Sequence, residues 1–188
     1  MNLLREYIRE LLTESTIHPK VMRMIDKAEQ MKLTLKVLPY GVKLSGPKKG
    51  EIPVASVQWD NDPLDGPCLK SKIVSATYAD EGLGPLIYDI AIEATGGLVP
   101  DRTTVSDAAR NVWDYYNWGR SDVKKEQLDD LENKLTPEER DNCEQLSASE
   151  DSNIGSPRNW DESVLSKKYS KVGTPVMDEL RKRGMIKE

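Results

Sequence analysis

The sequence contains no phenylalanine and a single histidine, His18, among its 188 residues. One histidine and two cysteines, Cys68 and Cys143, are too few for a zinc cluster, and two cysteines cannot form a disulfide-rich scaffold. We therefore expect no metal, free thiols and a reducing, intracellular setting. Tryptophan and tyrosine, with 4 and 7 residues, carry the aromatic content in place of phenylalanine.

Long apolar runs and an excess of positive charge are also missing. No stretch approaches the ~20 apolar residues that a membrane-spanning helix needs, so we expect no membrane partner. The net charge is −5 and acidic residues are spread along the chain, which argues against general binding to nucleic acid. Charged residues make up 31% and hydrophobic residues 37%, proportions typical of a soluble chain with one core.

Residues 1–14 have the pattern of an amphipathic helix, with leucine, isoleucine and tyrosine on one stripe and charged residues opposite. One hypothesis is an ordinary first helix packed on the domain. The alternative is a detachable leader, because the segment resembles the short leaders that send internal proteins of tailed bacteriophages into the prohead. A prohead protease removes those leaders after Leu or Ile, any residue, and Glu. Leu12-Thr13-Glu14 fits that pattern, so the resemblance predicts cleavage between Glu14 and Ser15.

The patterning of residues 15–120 predicts one α+β domain with an α/β-like central sheet. Strand-like runs occur in succession, then a strand, a helix, a short strand and a helix capped by Ser106. That order predicts a mixed sheet covered by helices. The predicted elements are a helix over His18–Lys32, strands within Leu33–Tyr40, Gly41–Ser45, Pro53–Asp60 and Cys68–Ala79, a helix over Pro85–Ala94, a strand at Leu98–Pro100 and a helix to about Tyr116.

Residues 121–188 are weaker in apolar content. A polar helix is predicted over Asp122–Asn133, and a final helix from Pro175 to about Arg183. Between them lies a stretch rich in serine, glycine and proline that is typical of a linker. We expect this part of the chain to be an appendage that wraps the domain or meets a partner.

The turn Ala79-Asp-Glu-Gly82-Leu-Gly84 separates a predicted strand from a predicted helix. Glycines let backbone N–H groups approach a phosphate closely, and the helix N-terminus favours an anion. Asp80 and Glu81 add negative charge, and Pro85 removes one donor. An ordinary strand-to-helix turn, in which glycine relieves crowding, explains the same residues equally well.

The order of elements around this turn resembles the GNAT superfamily of acetyl-CoA-dependent N-acyltransferases, over about residues 33–118. In that fold the fourth strand splays from the fifth, and the turn after the fourth strand carries Gln or Arg, two residues, Gly, one residue, and Gly or Ala. Both glycines match here, while Ala79 stands where the family has Gln or Arg. The resemblance implies that acetyl-CoA binds beside Tyr78, Gly82, Leu83 and Gly84.

The same resemblance implies a general acid on the last helix. The family's helix often carries Asn, then Ala three residues on, then a Tyr that protonates the departing thiolate. Here Ser106, Ala109 and Trp113 occupy those positions. Tyr116 lies one helical turn after Trp113 and is the candidate acid, because residues three apart share a helix face.

A general base is also needed, to take a proton from the incoming amine. Asp60 follows the strand that ends near Trp59 and is the candidate, with Glu51 and Asp62 as alternatives. None of the three is singled out, and exposed loop carboxylates without any catalytic role are their default interpretation.

Three functional hypotheses follow. The first is an acetyltransferase-like domain of phage origin that binds acetyl-CoA and acetylates an amine or a protein. The second is a GNAT-fold protein without catalysis, a virion or host-interaction component with a capsid or host protein as partner. The third is a plain structural or assembly protein. Under all three hypotheses we expect the protein to be located in the host cytoplasm or the virion interior.

Overall fold

The structure, a computed structural model, describes residues 17–48, 52–61, 68–129, 134–143 and 160–187. The predicted leader over residues 1–14 and the processing residues Glu14 and Ser15 lie outside the described residues. The helices are α1 (Pro19–Gln30), α2 (Gly84–Thr95), α3 (Asp107–Gly119) and α4 (Pro175–Lys182). The strands are β1 (Thr34–Leu38), β2 (Gly41–Ser45), β3 (Ala55–Asn61), β4 (Lys72–Ala79), β5 (Leu98–Val99), β6 (Lys124–Gln127), β7 (Lys167–Ser170) and β8 (Ile186–Lys187).

The described strands form one 8-stranded mixed sheet in the order β6-β7-β5-β4-β3-β2-β1-β8. Strands β1 to β4 are an antiparallel meander, and β5 lies parallel to β4. Strand β7 runs antiparallel between β5 and β6, and β8 lies parallel to β1. The predicted α+β class with a mixed sheet covered by helices is confirmed.

One face of the meander is buried under helices. Strand alternation places Leu35, Leu44 and Val57 on this face, and all three are inaccessible to solvent or nearly so. Helix α2 packs against the sheet and also contacts α1 and α4, so apolar side chains are buried on several of its sides. It ends at Gly96, which adopts a left-handed φ of 71° and caps the helix.

The chain after residue 120 contributes to the sheet at both edges, where the sequence suggested an appendage. Strands β6 and β7 extend one edge and β8 forms the other. The helix predicted over Asp122–Asn133 is wrong for its described part, because Lys124–Gln127 is strand β6. An outer strand keeps its polar side chains in solvent and needs no apolar alternation, which removes the signal that reveals a strand.

Cys68 and Cys143 form a disulfide, in contrast to the free thiols that the sequence predicted. Cys68 precedes β4 and Cys143 follows β6, and both are buried beside Val99 and Leu128. The two cysteines are separated by 75 residues, so only the folded topology reveals that they are neighbours.

Candidate functional site: a cleft where two parallel strands diverge

Strands β4 and β5 pair at only two positions, Lys72 with Leu98 and Ile73 with Val99. Strand β4 then continues to Ala79, whereas β5 ends. From Ser75 to Ala79 the β4 residues are exposed, and among the described residues no strand pairs with this edge. The backbone N–H and C=O groups along this edge are therefore free to pair with another extended molecule.

A cleft lies between this free edge and helices α2 and α3. Its inner part, about 270 Å³, is bounded by β4, Tyr88 and the chain from Thr104 to Trp113. Its outer part, about 250 Å³, reaches the glycine turn at Gly82 and Gly84. Thr77, Tyr88, Ser106 and Ala109 line both parts, so the two form one elongated cleft.

The glycine turn ends the cleft with a backbone suited to an anion. Glu81 and Gly82 adopt left-handed φ values of 56° and 73°. Leu83 is the N-terminal cap of α2 and supplies no side-chain acceptor to the helix. The first N–H groups of α2 therefore lack a side-chain cap. A Cβ at Gly82 would meet no atom within 4 Å, so the space in front of the turn is open.

A lysine from α1 offsets the acidic character of this turn. The Lys27 ammonium donates to the Glu81 carbonyl oxygen at 2.7 Å and to its Oε2 at 2.9 Å. Asp80 Oδ1 accepts from the Glu81 backbone N–H at 2.8 Å, which ties that carboxylate to the turn itself. Lys27 is 54 residues away in sequence, which is why the sequence revealed the acidic residues of the turn but not their counter-ion.

Two of the predicted coenzyme-binding residues line the cleft. Gly82 and Gly84 do so directly. The Leu83 side chain is fully buried, and its N–H donates to the Asp80 carbonyl at 3.0 Å. Thr77 faces Tyr88, so strand alternation directs the half-exposed Tyr78 side chain to the other face of the sheet.

Tyr116, the predicted general acid, is fully buried, and the residues that line the cleft do not include it. Its hydroxyl donates to the Pro85 carbonyl oxygen at 2.8 Å, in the first turn of α2. Burial, reinforced by the negative charge of Asp89, raises the pKa of Tyr116 well above its ordinary value. The contact positions the start of α2 and commits the phenolic proton to a backbone carbonyl.

Tyr88 is the phenol that does line the cleft, and the sequence reasoning missed it. Its hydroxyl lies 3.0 Å from Thr77 Oγ1 on β4, and its ring packs edge-on against Trp113 with centroids 4.7 Å apart. Burial raises the pKa of Tyr88 to about 12, so it stays protonated at neutral pH. The sequence indicated Tyr88 only through its position four residues after Gly84, which places both residues on the same side of the helix.

Asp60, the predicted general base, lies on β3 and is exposed. It lines a depression of about 540 Å³ that shares Ser75 with the cleft. Strand alternation places the Asp60 side chain on the face opposite to Val57, away from the helices. The alternative bases Glu51 and Asp62 lie outside the described residues.

Comparisons with protein-family models, with curated proteins and with solved structures found no match to this chain. Over the described ranges, no helix is long and apolar enough to cross a membrane. Within the same ranges, no group of three or more histidine, cysteine, aspartate or glutamate residues is placed to hold a metal ion.

Proposed function

We propose that the cleft binds acetyl-CoA and that the protein transfers the acetyl group to an amine, as its resemblance to the GNAT superfamily predicts. The observation that carries this proposal is the divergence of β4 from β5 after Ile73 and Val99. A splayed fourth strand is the feature of that fold around which the coenzyme lies. Acetyl-CoA, when bound, supplies the thioester from which the acetyl group is taken.

The free edge of β4 suits a linear ligand that carries amide groups. Peptide-like amides pair with an open strand edge through backbone hydrogen bonds, as in strand addition. The edge from Ser75 to Ala79 leads directly to the glycine turn. At the turn, the uncapped N-terminus of α2 favours the negative charge of a pyrophosphate, and the Lys27 ammonium offsets the carboxylate of Glu81 beside it.

Tyr88 is the candidate proton donor to the leaving thiolate in this proposal. Its hydroxyl borders the inner cleft, and a phenol with a pKa of about 12 carries its proton at neutral pH. Tyr116 supports the site indirectly, because its hydrogen bond to Pro85 fixes the first turn of α2.

A second candidate is coenzyme binding without transfer, by a phage virion or host-interaction component that keeps the fold. The observations that favour it are the full burial of Tyr116, whose hydroxyl donates to the Pro85 carbonyl, and Ala79 in place of the family's basic or amide residue. Both candidates require the cleft to bind the coenzyme, and they differ only in turnover.

The test is titration of the full chain with acetyl-CoA by calorimetry, comparing Gly82→Asp with Gly173→Asp. Both glycines have left-handed φ values, 73° and 70°, and a Cβ at either would meet no atom within 4 Å. The two substitutions therefore impose matched backbone strain, which aspartate tolerates better than most residues. Only the first places a carboxylate beside the expected pyrophosphate, so we expect at least a tenfold loss of affinity in Gly82→Asp alone.

Equal affinities in the two variants would refute the glycine turn as the pyrophosphate site. No binding at millimolar acetyl-CoA would remove both candidates and leave a structural or assembly role. Binding without turnover across a panel of amines would favour the second candidate.

A further inference from the structure

The face of the β1–β4 meander that points away from the helices carries a depression of about 540 Å³. The strand register sets Lys36 opposite Lys43, and Lys43 opposite Ser56. Residues directly opposite each other share a face, and side chains two apart along a strand do as well. Lys36, Lys43 and Asp60 therefore belong to one face, with Lys43 and Asp60 lining the depression.

Charge is separated along this depression. Lys36 and Lys43 are like charges in directly opposed positions, an arrangement that destabilises a sheet unless an anion lies nearby. Within the described ranges neither lysine forms an ion pair, and Asp60 has no ion-pair or hydrogen-bond partner. Asp60 lies four positions beyond Ser56 on β3, roughly 13 Å at the usual rise per residue. The depression is thus positive at one end and negative at the other.

The depression meets the cleft at a β-bulge. Gln58 pairs with Ala76 and Trp59 with Val74, so Ser75 has no partner on β3. Ser75 lines both the depression and the inner cleft. Bulges re-aim side chains and free backbone groups beside functional sites. A ligand in the depression can therefore approach, at Ser75, a ligand in the cleft.

We propose that the depression binds a short zwitterionic peptide, with its N-terminal ammonium at Asp60 and its carboxylate at Lys36 and Lys43. The span between the charges is too long for a free amino acid and suits a peptide of about three to four extended residues. The further role of this peptide as the acetyl acceptor rests on the proposed function. In that transfer the ammonium loses one proton to Asp60, and the resulting amine forms the C–N bond and loses a second proton to solvent. The C–S bond breaks, the sulfur takes a proton from Tyr88, and Tyr88 regains a proton from solvent.

The experiment measures binding of triglycine to the full chain by calorimetry, without coenzyme. N-acetyl-triglycine lacks the ammonium and triglycine amide lacks the carboxylate, so each tests one end of the depression. We expect triglycine to bind and each capped peptide to bind at least tenfold more weakly. Asp60→Asn and Lys43→Gln should weaken triglycine binding to the same extent.

The controls are Glu162→Gln and Lys182→Gln, which remove the same charges from exposed positions that do not line the depression. Both should bind triglycine as the parent does, and none of the four variants should melt below the parent. Equal binding of capped and uncapped peptides, or none at millimolar concentration, overturns the proposal. If acetyl-CoA binds and triglycine does not, this inference fails and the proposed function stands. If triglycine binds and acetyl-CoA does not, the peptide site stands and the proposed function fails.

Discussion

Tyr88 and Tyr116 have the same side chain and pack against the same tryptophan, Trp113, yet the structure gives them different chemistry. Tyr88 directs its hydroxyl to Thr77 on the cleft wall, and Tyr116 directs its hydroxyl to the Pro85 carbonyl. A sequence shows that a phenol is available but not which atom its proton faces. The candidate acid therefore changes from Tyr116 to Tyr88 once the hydrogen bonds are known.

His18 should make the stability of the protein depend on pH. Its Nδ1 accepts from the Lys20 backbone N–H at 3.2 Å and lies 2.9 Å from the Tyr115 hydroxyl, so the cap of α1 uses the unprotonated ring nitrogen. Burial, followed by the positive charge of Arg120, lowers the pKa of His18 below its ordinary value of 6.5. The unfolded chain then binds the proton first, so stability should fall as pH falls below about 6.5.

Urea denaturation at pH 7.5 and 5.5 measures this effect, with His18→Asn as the comparison. Asparagine still caps a helix but does not titrate. The nearby charged groups Lys20, Asp89, Arg120 and Asp122 stay unchanged, so their own titration cancels between the two proteins. We expect the parent to lose more stability than the variant on acidification. Equal losses would show that His18 does not titrate differently in the folded and unfolded states.

At the scale of elements, α2 holds α4 in place through a buried carboxylate. Glu93 Oε1 and Oε2 accept from the backbone N–H groups of Val176 and Met177 at 3.1 and 2.8 Å. Thr174, the N-terminal residue before α4, makes no side-chain cap, so Glu93 performs that role from another helix. The Lys171 ammonium pairs with Glu93 and, at 2.9 Å, with Asp89.

Glu93→Ala should be strongly destabilising, because it removes the cap of α4 and leaves the Lys171 ammonium with one fewer buried partner. Losing one member of a buried charge pair typically costs about 3–5 kcal/mol. Glu126→Ala is the control, since it breaks the solvent-accessible pairs of Glu126 with Lys124 and Lys168, and such pairs contribute less than ~1 kcal/mol each. Chemical denaturation measures both. Similar small losses in the two variants would mean that α4 does not depend on Glu93.

The helices and the meander were predictable because their side chains repeat with a helical or alternating period that burial enforces. Strand β6 was not, since its Lys-Lys-Glu-Gln sequence lies at the edge of the sheet and carries no such period. In the site, Gly82 and Gly84 were predictable from their spacing. Lys27 and the bulge at Ser75 were not, because both depend on which elements the fold brings together.

At the scale of the whole molecule, the disulfide between Cys68 and Cys143 joins the start of β4 to the loop after β6. Closing 75 residues into a loop reduces the freedom of the unfolded chain by about 4 kcal/mol in the chain-entropy account. We expect the Cys68→Ala, Cys143→Ala double variant to unfold at lower urea concentration than the oxidised parent. The parent under reductant should approach the variant, and identical midpoints in oxidised parent and variant would show that the disulfide adds nothing.

The same disulfide divides the elements of the fold into those inside and those outside a covalently closed loop. Everything from β4 through α2, β5, α3 and β6 lies inside the covalent loop, whereas β1 to β3, β7 and β8 lie outside it. Tension applied to the two ends of the chain passes across one sulfur–sulfur bond and bypasses the looped elements. The oxidised chain can then be drawn out roughly 250 Å less than the reduced one, at ~3.3–3.6 Å per residue. The secondary-structure elements that build the cleft are shielded from pulling, and the elements outside the covalent loop bear the load.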